Sequence, residues 1–139
     1  FLAGKKKSFF LESANVFGCF YGTSKKLFRE KINQGFGLIL AIDVQGMKQL
    51  EKNRPSGIPM ISIFVMPPSL GILKTRLEKR KTETKGQIQK RLRIAQREMR
   101  ERSRYGFVVV NRRVIQAVKE IEEILKHDYS TGGTLEKRK

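Results

Sequence analysis

Three short segments of the chain are apolar without a break, and each is followed by a segment in which apolar residues recur at helical spacing. The apolar runs are residues 37–43 (GLILAID), 60–66 (MISIFVM) and 105–111 (YGFVVVN). An apolar run without polar alternation is typical of a strand that is buried on both faces of a parallel sheet. Because these strands alternate with helices, the pattern predicts an α/β domain with a parallel sheet flanked by helices.

Five segments have the apolar spacing and the flanking residues of helices. Serine and threonine are good amino-terminal caps, whereas glycine and proline end helices. Thr23, Ser24 and Ser69 therefore mark helix starts, and Gly35 and Pro55 mark helix ends. The predicted helices are residues 24–35, 44–53, 70–80, 87–104 and 112–127. The irregular apolar segment 9–17 fits either a strand or a helix.

Two polar segments lie outside these elements. Residues 81–86 (KTETKG) are polar and end in glycine, which predicts an exposed and mobile loop, and residues 128–139 predict a frayed tail. Three strands would make a thin sheet for an open α/β fold, and the chain starts with Phe1 rather than Met. Both features favour a fragment of a longer protein.

The charge of the chain favours anionic partners. It has 30 lysines and arginines against 13 aspartates and glutamates, a net charge of +17, which suits nucleic acid, acidic lipid or phosphorylated small molecules. Most of these cations are expected simply to solvate the surface. No apolar run approaches the roughly 18 residues that span a bilayer, and no signal peptide is visible. We therefore expect a soluble protein of a reducing compartment, the cytoplasm.

Several kinds of active site have no candidate residues in this sequence. The single histidine, His127, leaves no good Ser-His-Asp arrangement, and the single cysteine, Cys19, allows neither an internal disulfide nor a Cys/His zinc site. The phosphate-binding loop GxxxxGKS or GxxxxGKT is also absent from the 139 residues.

Polar residues follow the predicted strands where parallel sheets bind ligands, at the carboxyl ends. Asp43 follows the first apolar run, the turn 67–69 follows the second, and Asn111 follows the third. Asp43 could order a cation or accept from a base amino group, or it could cap the next helix. Asn111 could bind a ligand or cap the last helix.

Two further patterns suit phosphate. Four arginines bracket the predicted loop 81–86: Arg76, Arg80, Arg91 and Arg93. Planar guanidinium groups bind two phosphate oxygens at once, and on a mobile segment they could close over a phosphoryl group, although a solvated basic helix explains the pattern too. Residues 18–24 (GCFYGTS) offer donors for a phosphate and a polar ring, or they form a turn and a helix cap.

Six segments occur in a recognisable order: FLESANVFGCFYGTS, LILAIDVQGMKQL, IFVMPPS, LKTRLEKR, TETKGQIQKRLRIAQREM and FVVVN. They are similar to FLEWAxxxGNYYGTS, VLLDIDVQGAxxV, IFIxPPS, LxxRLxxR, TExxxxIxxRLxxAxxEL and VIVN of the guanylate kinase family. The spacings fit without forced gaps, and the resemblance covers about Phe1 to His127.

The resemblance implies a partial P-loop-kinase-type parallel sheet with a nucleoside-monophosphate-binding segment and an arginine lid. It divides a single partial domain into the end of the GMP-binding subdomain (1–26), core (27–79), lid (80–90), core (91–127) and tail (128–139). The family transfers the terminal phosphoryl group of ATP to GMP with Mg²⁺.

The same resemblance implies a role for seven residues. Glu12, Thr23 and Asp43 would recognise guanine, and Tyr21 would bind the GMP phosphate. Arg80 and Arg91 would be the lid arginines that reach the phosphates of both nucleotides, and Asn111 would lie near the adenine of ATP. No residue of the chain is expected to bind the metal directly.

The chain also departs from the family pattern. The phosphate-binding loop and the arginine segment that follows it are missing, so the fragment alone is expected to be inactive. Ala41 stands where the family has the first aspartate of DIDxQG, which leaves the handling of magnesium open. Arg112 and Arg113 replace a usual acidic pair, and Gly106 replaces a common aspartate.

Two other functions remain open at this point. One is a non-catalytic module of the same fold that binds anionic partners. The other, which is less favoured, is a nucleic-acid-binding protein unrelated to kinases. No membrane partner is expected. The oligomeric state does not follow from the sequence.

Overall fold

The computed structural model describes residues 9–16 and 18–130, with the backbone alone for Val16 and residues 128–130. The chain divides into two compact units, unit 1 up to Ile58 and unit 2 from Pro59. The start of the resemblance, residues 1–8, and the predicted tail from residue 131 lie outside the described residues. That the chain forms one partial domain with the subdivisions given above stays a prediction.

Unit 1 begins with an antiparallel hairpin of strand β1 (Phe10–Val16) and strand β2 (Cys19–Ser24). Of segment 9–17, which fitted either a strand or a helix, residues 10–16 are therefore a strand, and Phe17 lies outside the described residues. Residues 18–24, for which a turn was one interpretation, form a turn only at Gly18, whose φ of +91° favours glycine. The register places Glu12 opposite Thr23.

Helix α1 (Lys25–Asn33) follows β2 directly and confirms the first predicted helix. Ser24 is its amino-terminal cap, since its hydroxyl accepts a hydrogen bond from the backbone nitrogen of Leu27. Gly35, with a φ of +82°, ends the helix as predicted. Thr23, the other predicted cap, belongs to β2 instead, and its hydroxyl binds Glu12.

Helix α2 (Val44–Asn53) packs on β1 through side chains that bind the backbone of that strand. The amide of Gln49 accepts from Ser13 N at 3.1 Å and donates to Ser13 O at 2.8 Å. The amide of Asn53 donates to Leu11 O at 3.0 Å. Apolar side chains fill the core of this unit: Leu11, Ala14, Phe28, Met47 and Leu50.

The predicted strand at residues 37–43 is wrong. Residues 36–43 form no helix or strand, and no backbone hydrogen bond joins 37–43 to another strand in the part of the chain that the structure describes. Leu38 is exposed, and Ile39 is 86% exposed. An apolar run becomes a strand only when a neighbour pairs with its backbone, and none of the described strands does so.

Unit 2 contains the two other predicted strands, β3 (Ile63–Met66) and β4 (Phe107–Val110), which form a parallel pair. Helix α3 (Leu70–Arg80) begins at its cap Ser69, as predicted, and helix α4 (Lys85–Glu98) packs against it. Helix α5 (Val114–Ser130) follows β4. The buried apolar residues of this unit are Phe64, Leu77, Ile88, Val109 and Ala117.

Some element ends in unit 2 differ from the prediction. The loop between α3 and α4 is residues 81–84, because α4 begins at Lys85 behind a capping box of Thr84 and Gln87. The long basic helix becomes a 3₁₀ helix at Met99–Arg104. Helix α5 begins two residues later than predicted and runs to Ser130, so residues 128–130 are helical rather than a frayed tail.

Candidate functional site

A buried carboxylate is the centre of a recess in unit 1. Glu12 is only 4% exposed, although it carries a formal charge and lies on β1. Thr23 on β2 donates its hydroxyl hydrogen to Glu12 Oε1 at 2.7 Å. The recess, of about 250 Å³, is lined by Glu12, Ala14, Tyr21, Ala41, Ile42 and Asp43, and is called the carboxylate recess below.

The other oxygen of Glu12 lies beside the first turn of helix α2. A Cβ atom built on Gly46 would stand 2.9 Å from Glu12 Oε2, so a side chain at this position would displace the end of Glu12. The amino-terminal end of a helix carries partial positive charge, which stabilises a carboxylate close to it. Thr23 and the end of α2 therefore both favour a buried Glu12 in this position.

Asp43 caps helix α2, one of the two roles that the sequence left open, and its contact with a ligand stays a prediction. Its Oδ1 accepts from the backbone nitrogen of Gly46 at 2.7 Å, so Asp43 caps α2, and its side chain also lines the carboxylate recess. Tyr21 lies on the same recess and is well exposed. The structure therefore brings together all four residues for which GMP binding was predicted, Glu12, Tyr21, Thr23 and Asp43, within unit 1.

A second recess, of about 590 Å³, lies in unit 2 between α3 and the turn after β4. It is lined by Leu73, Arg76, Leu77, Lys79, Arg80, Asn111, Arg112, Arg113 and Val114, and is called the arginine recess below. Its walls carry five cations and no acid. Two of the residues predicted for ATP binding, Arg80 and Asn111, lie there together.

Asn111 does not occupy the cap position of the last helix, because Arg112 and Arg113 separate it from Val114 at the start of α5. Its backbone nitrogen donates to Met66 O at 2.8 Å, which continues the pairing of β4 with β3. Its side-chain Oδ1 is buried and has no hydrogen-bond partner. A buried acceptor without a donor is costly, and a ligand N–H group would satisfy it.

No local pattern in the sequence predicts the contact that orders this turn. Arg76 Nη2 donates to the carbonyl oxygens of Asn111 and Arg112, both at 2.9 Å. Arg76 was predicted only as one of the arginines beside the loop. A hydrogen bond between residues 35 positions apart leaves no periodic pattern in a sequence. The position of Arg76 in the motif LxxRLxxR was the one signal that could have pointed to this residue.

Arg91, the second predicted lid arginine, is held by an acid. Its Nε lies 2.6 Å from Glu83 Oε1, and the side chains of Arg91 and Glu83 are 34% and 11% exposed. Arg91 does not line the arginine recess. The inward position of Glu83 differs from the exposed loop predicted for residues 81–86, because the carboxylate turns toward the arginine.

The described acids and other potential metal ligands do not gather at one place. Among the residues that the structure describes, no three His, Cys, Asp or Glu side chains form a group that could hold a metal ion. Ala41, at the position where the resemblance placed an aspartate, lines the carboxylate recess without offering a ligand. Over the same described residues, no helix is long and apolar enough to cross a membrane.

The fold defines the class of protein: an α/β chain with a small parallel sheet flanked by helices in unit 2, and with one recess in each unit. The crystal structure of guanylate kinase from Anaplasma phagocytophilum, a P-loop kinase fold, superposes on it with a TM-score of 0.71 and 28% sequence identity. The superposition covers 91% of this chain and 60% of that one.

Sequence comparisons identify the family. The family model for guanylate kinase matches residues 1–128. The chain is 41% identical over 120 residues to a guanylate kinase of Clostridium tetani and 37% identical over 120 residues to one of Rickettsia prowazekii. The chain belongs to the guanylate kinase family, which confirms the resemblance. Each match covers 86% of this chain, which spans 56% and 59% of the length of these relatives.

Proposed function

We propose that the whole protein to which this chain belongs is a guanylate kinase, which transfers the terminal phosphoryl group of ATP to GMP and forms ADP and GDP. Family membership supports the reaction. The observation that carries the assignment to residues is the buried Glu12, which accepts from Thr23 and opens on the same recess as Tyr21 and Asp43.

In this proposal the carboxylate recess binds GMP. The Watson–Crick edge of guanine presents two N–H donors, the ring N1–H and the exocyclic amino group, and a carboxylate accepts from both. Adenine presents an acceptor at N1, so the same carboxylate repels it, and a site built on such bonds discriminates strongly. Glu12 supplies the carboxylate, Thr23 and Asp43 complete recognition of the ring, and the hydroxyl of Tyr21 donates to the phosphate.

The arginine recess and the loop beside it bind ATP in this proposal. Arg80 lies at the end of α3, where its guanidinium can pair with phosphate oxygens, and Asn111 offers a buried acceptor to the adenine amino group. Arg91 supplies the second lid guanidinium. Phosphoryl transfer depends on position and on neutralised charge, which is the chemistry that these arginines offer.

Magnesium enters the proposal together with ATP. The described residues do not form a ligand set for it, so no side chain of this chain is assigned to the metal. When bound to ATP, magnesium supplies charge neutralisation on the phosphates. GMP and ATP are the proposed small-molecule partners, and nucleic acid is not among them. A cytoplasmic location remains part of the proposal.

The experiment is a coupled assay of GDP formation by the whole protein, with GMP and AMP as alternative acceptors. We expect GMP to be phosphorylated and AMP to be turned over at least about a hundredfold less efficiently, and Glu12→Gln to remove most of this preference. Calorimetry should show the same preference. Equal binding of GMP and AMP by the wild-type protein would refute the proposal.

A second experiment compares GDP formation by the 139-residue chain with that by the whole protein. The 139-residue chain contains no GxxxxGKS or GxxxxGKT loop, so by itself it should form negligible GDP. The whole protein, or this chain joined to the upstream segment of a related guanylate kinase, should be active. Equal rates from the chain alone and from the longer protein would contradict the assignment of ATP binding to a phosphate-binding loop outside these residues.

A further inference from the structure

Glu83 stands apart from the other charged residues around the loop between α3 and α4. The loop is only residues 81–84, and its neighbours Lys81, Thr82 and Thr84 are exposed. The side chain of Glu83 is nevertheless 89% buried (11% exposed), and one oxygen lies 2.6 Å from Arg91 Nε. Its second oxygen, Oε2, is buried without a hydrogen-bond partner.

The local backbone fixes where Glu83 can point. On one side, α3 ends at Arg80, and its cap residue Lys81 has a φ of +53°, a left-handed conformation. On the other side, the hydroxyl of Thr84 accepts from Gln87 N, and the side chain of Gln87 accepts from Thr84 N at 2.7 Å. Both helix ends are thus closed around a short loop, and Glu83 immediately precedes the cap of the helix that carries Arg91.

The pair is poorly explained as a device for stability. Removing two charges from water is costly, and an acid with one unpaired buried oxygen recovers only part of that cost. The exposed pair of Lys74 and Glu78 in α3 carries no such desolvation. What the Glu83 pair does provide is a fixed guanidinium, because a charge-assisted bond of this length holds one rotamer of a long side chain.

We propose that Glu83 is a positioning residue, which holds the guanidinium of Arg91 in the orientation in which it meets nucleotide phosphate. This inference rests on the proposed function, because it takes Arg91 as a lid arginine. A guanidinium has five N–H donors in a fixed plane, so a carboxylate on Nε sets the direction of all the others. Glu83 itself contacts no substrate; it acts through Arg91.

The test is a double-mutant cycle in the whole protein, with kcat, the KM for GMP and the melting temperature as readouts. Glu83→Ala should lower kcat by about tenfold to a hundredfold, as expected when a reacting partner is misplaced, and leave the KM for GMP within about twofold. Glu83→Gln keeps an acceptor oxygen, so its kcat should lie between those of the wild-type protein and Glu83→Ala. In an Arg91→Ala background, Glu83→Ala should have no further effect on kcat.

Glu78→Gln is the matched control, since Glu78 is an acid in an exposed ion pair on the neighbouring helix. It should leave kcat unchanged. Unchanged kcat in Glu83→Ala, or an equal loss with and without Arg91, would overturn the inference while GMP kinase activity of the wild type stands. A wild-type protein that forms no GDP would overturn the proposed function, and this inference with it.

Discussion

Gly46→Ala should separate the stability of unit 1 from its ability to bind GMP. Gly46 lies in the first turn of α2, and an added Cβ would stand 2.9 Å from Glu12 Oε2, 3.2 Å from Ile42 Cβ and 3.4 Å from Asp43 Oδ1. The first distance is too short for a carbon–oxygen contact. The end of the Glu12 side chain must move most, and Ile42 must also give way by a few tenths of an ångström.

The effects on folding nearly cancel. Alanine is favoured over glycine in a helix by about 0.5–1 kcal/mol, and crowding in a packed site costs about 1–3 kcal/mol. The net loss of stability should therefore be about 0–2.5 kcal/mol. The effect on binding has no such compensation, because the displaced carboxylate loses its direction toward the ligand. One charge-assisted hydrogen bond is worth about 1.5–3 kcal/mol, which corresponds to a loss of GMP affinity of about tenfold to a hundredfold.

The assay is calorimetric titration of the whole protein with GMP, together with thermal unfolding. Gly86→Ala is the control, because Gly86 also lies in the first turn of a helix and an added Cβ there meets nothing within 4 Å. It should not weaken GMP binding. If Gly46→Ala binds GMP as tightly as the wild-type protein, then Glu12 does not hold the ligand through the oxygen that faces α2, and the assignment of the carboxylate recess is wrong.

Three further changes test other contacts. Thr23→Val removes the hydroxyl that donates to buried Glu12 Oε1 and should cost about 1–3 kcal/mol in a denaturant titration, whereas Thr23→Ser should cost little; equal losses would contradict the hydrogen bond. Tyr21→Phe, at an exposed position, should leave the melting temperature unchanged and weaken GMP but not guanosine by about tenfold; equal weakening of both would exclude a phosphate contact. Arg76→Met removes both bonds to the turn at Asn111 and should raise the KM for ATP by about tenfold while the KM for GMP stays constant, and Arg76→Lys should recover part of the loss. A parallel rise in both KM values would indicate general unfolding instead.

The helices and the parallel strand pair could be predicted from the sequence because their signals are local. Caps at Ser24, Asp43 and Ser69 and the apolar spacing that follows each are contained within a few residues. The strand predicted at residues 37–43 failed for the opposite reason. Its apolar residues satisfy a local pattern, but strand formation depends on a partner elsewhere, and none of the described strands supplies one.

The residues of the candidate site could be predicted, but the way in which they come together could not. The set of Glu12, Tyr21, Thr23 and Asp43 came from the family resemblance. In the structure Glu12, Tyr21 and Asp43 line one recess, and Thr23 binds Glu12. Their pattern alone did not require it, because the hairpin register that sets Glu12 opposite Thr23 depends on the turn at Gly18. Whether these residues perform the roles assigned to them stays a prediction.

The contacts of Arg76 and Glu83 could not have been predicted at all. Each depends on the rotamer of a long side chain and on where a distant backbone or side chain lies. The charge composition instead predicts solvated arginines without specific contacts, because in a chain of net charge +17 most arginines lie on the surface. Arg76 was predicted only as an arginine beside the loop, and the contacts of both residues follow from the positions of the loop ends and of the turn after β4.

The amide side chains of α2 have a consequence for the outer edge of the hairpin. Gln49 occupies both the N–H and the C=O of Ser13, and Asn53 occupies the carbonyl of Leu11. Unpaired strand edges recruit strands from other molecules, which leads to aggregation. The side chains of α2 therefore protect the edge of β1 from pairing with other molecules. Gln49→Ala would expose the backbone N–H and C=O of Ser13, and the protein should then aggregate when it is concentrated, under conditions in which it is still folded.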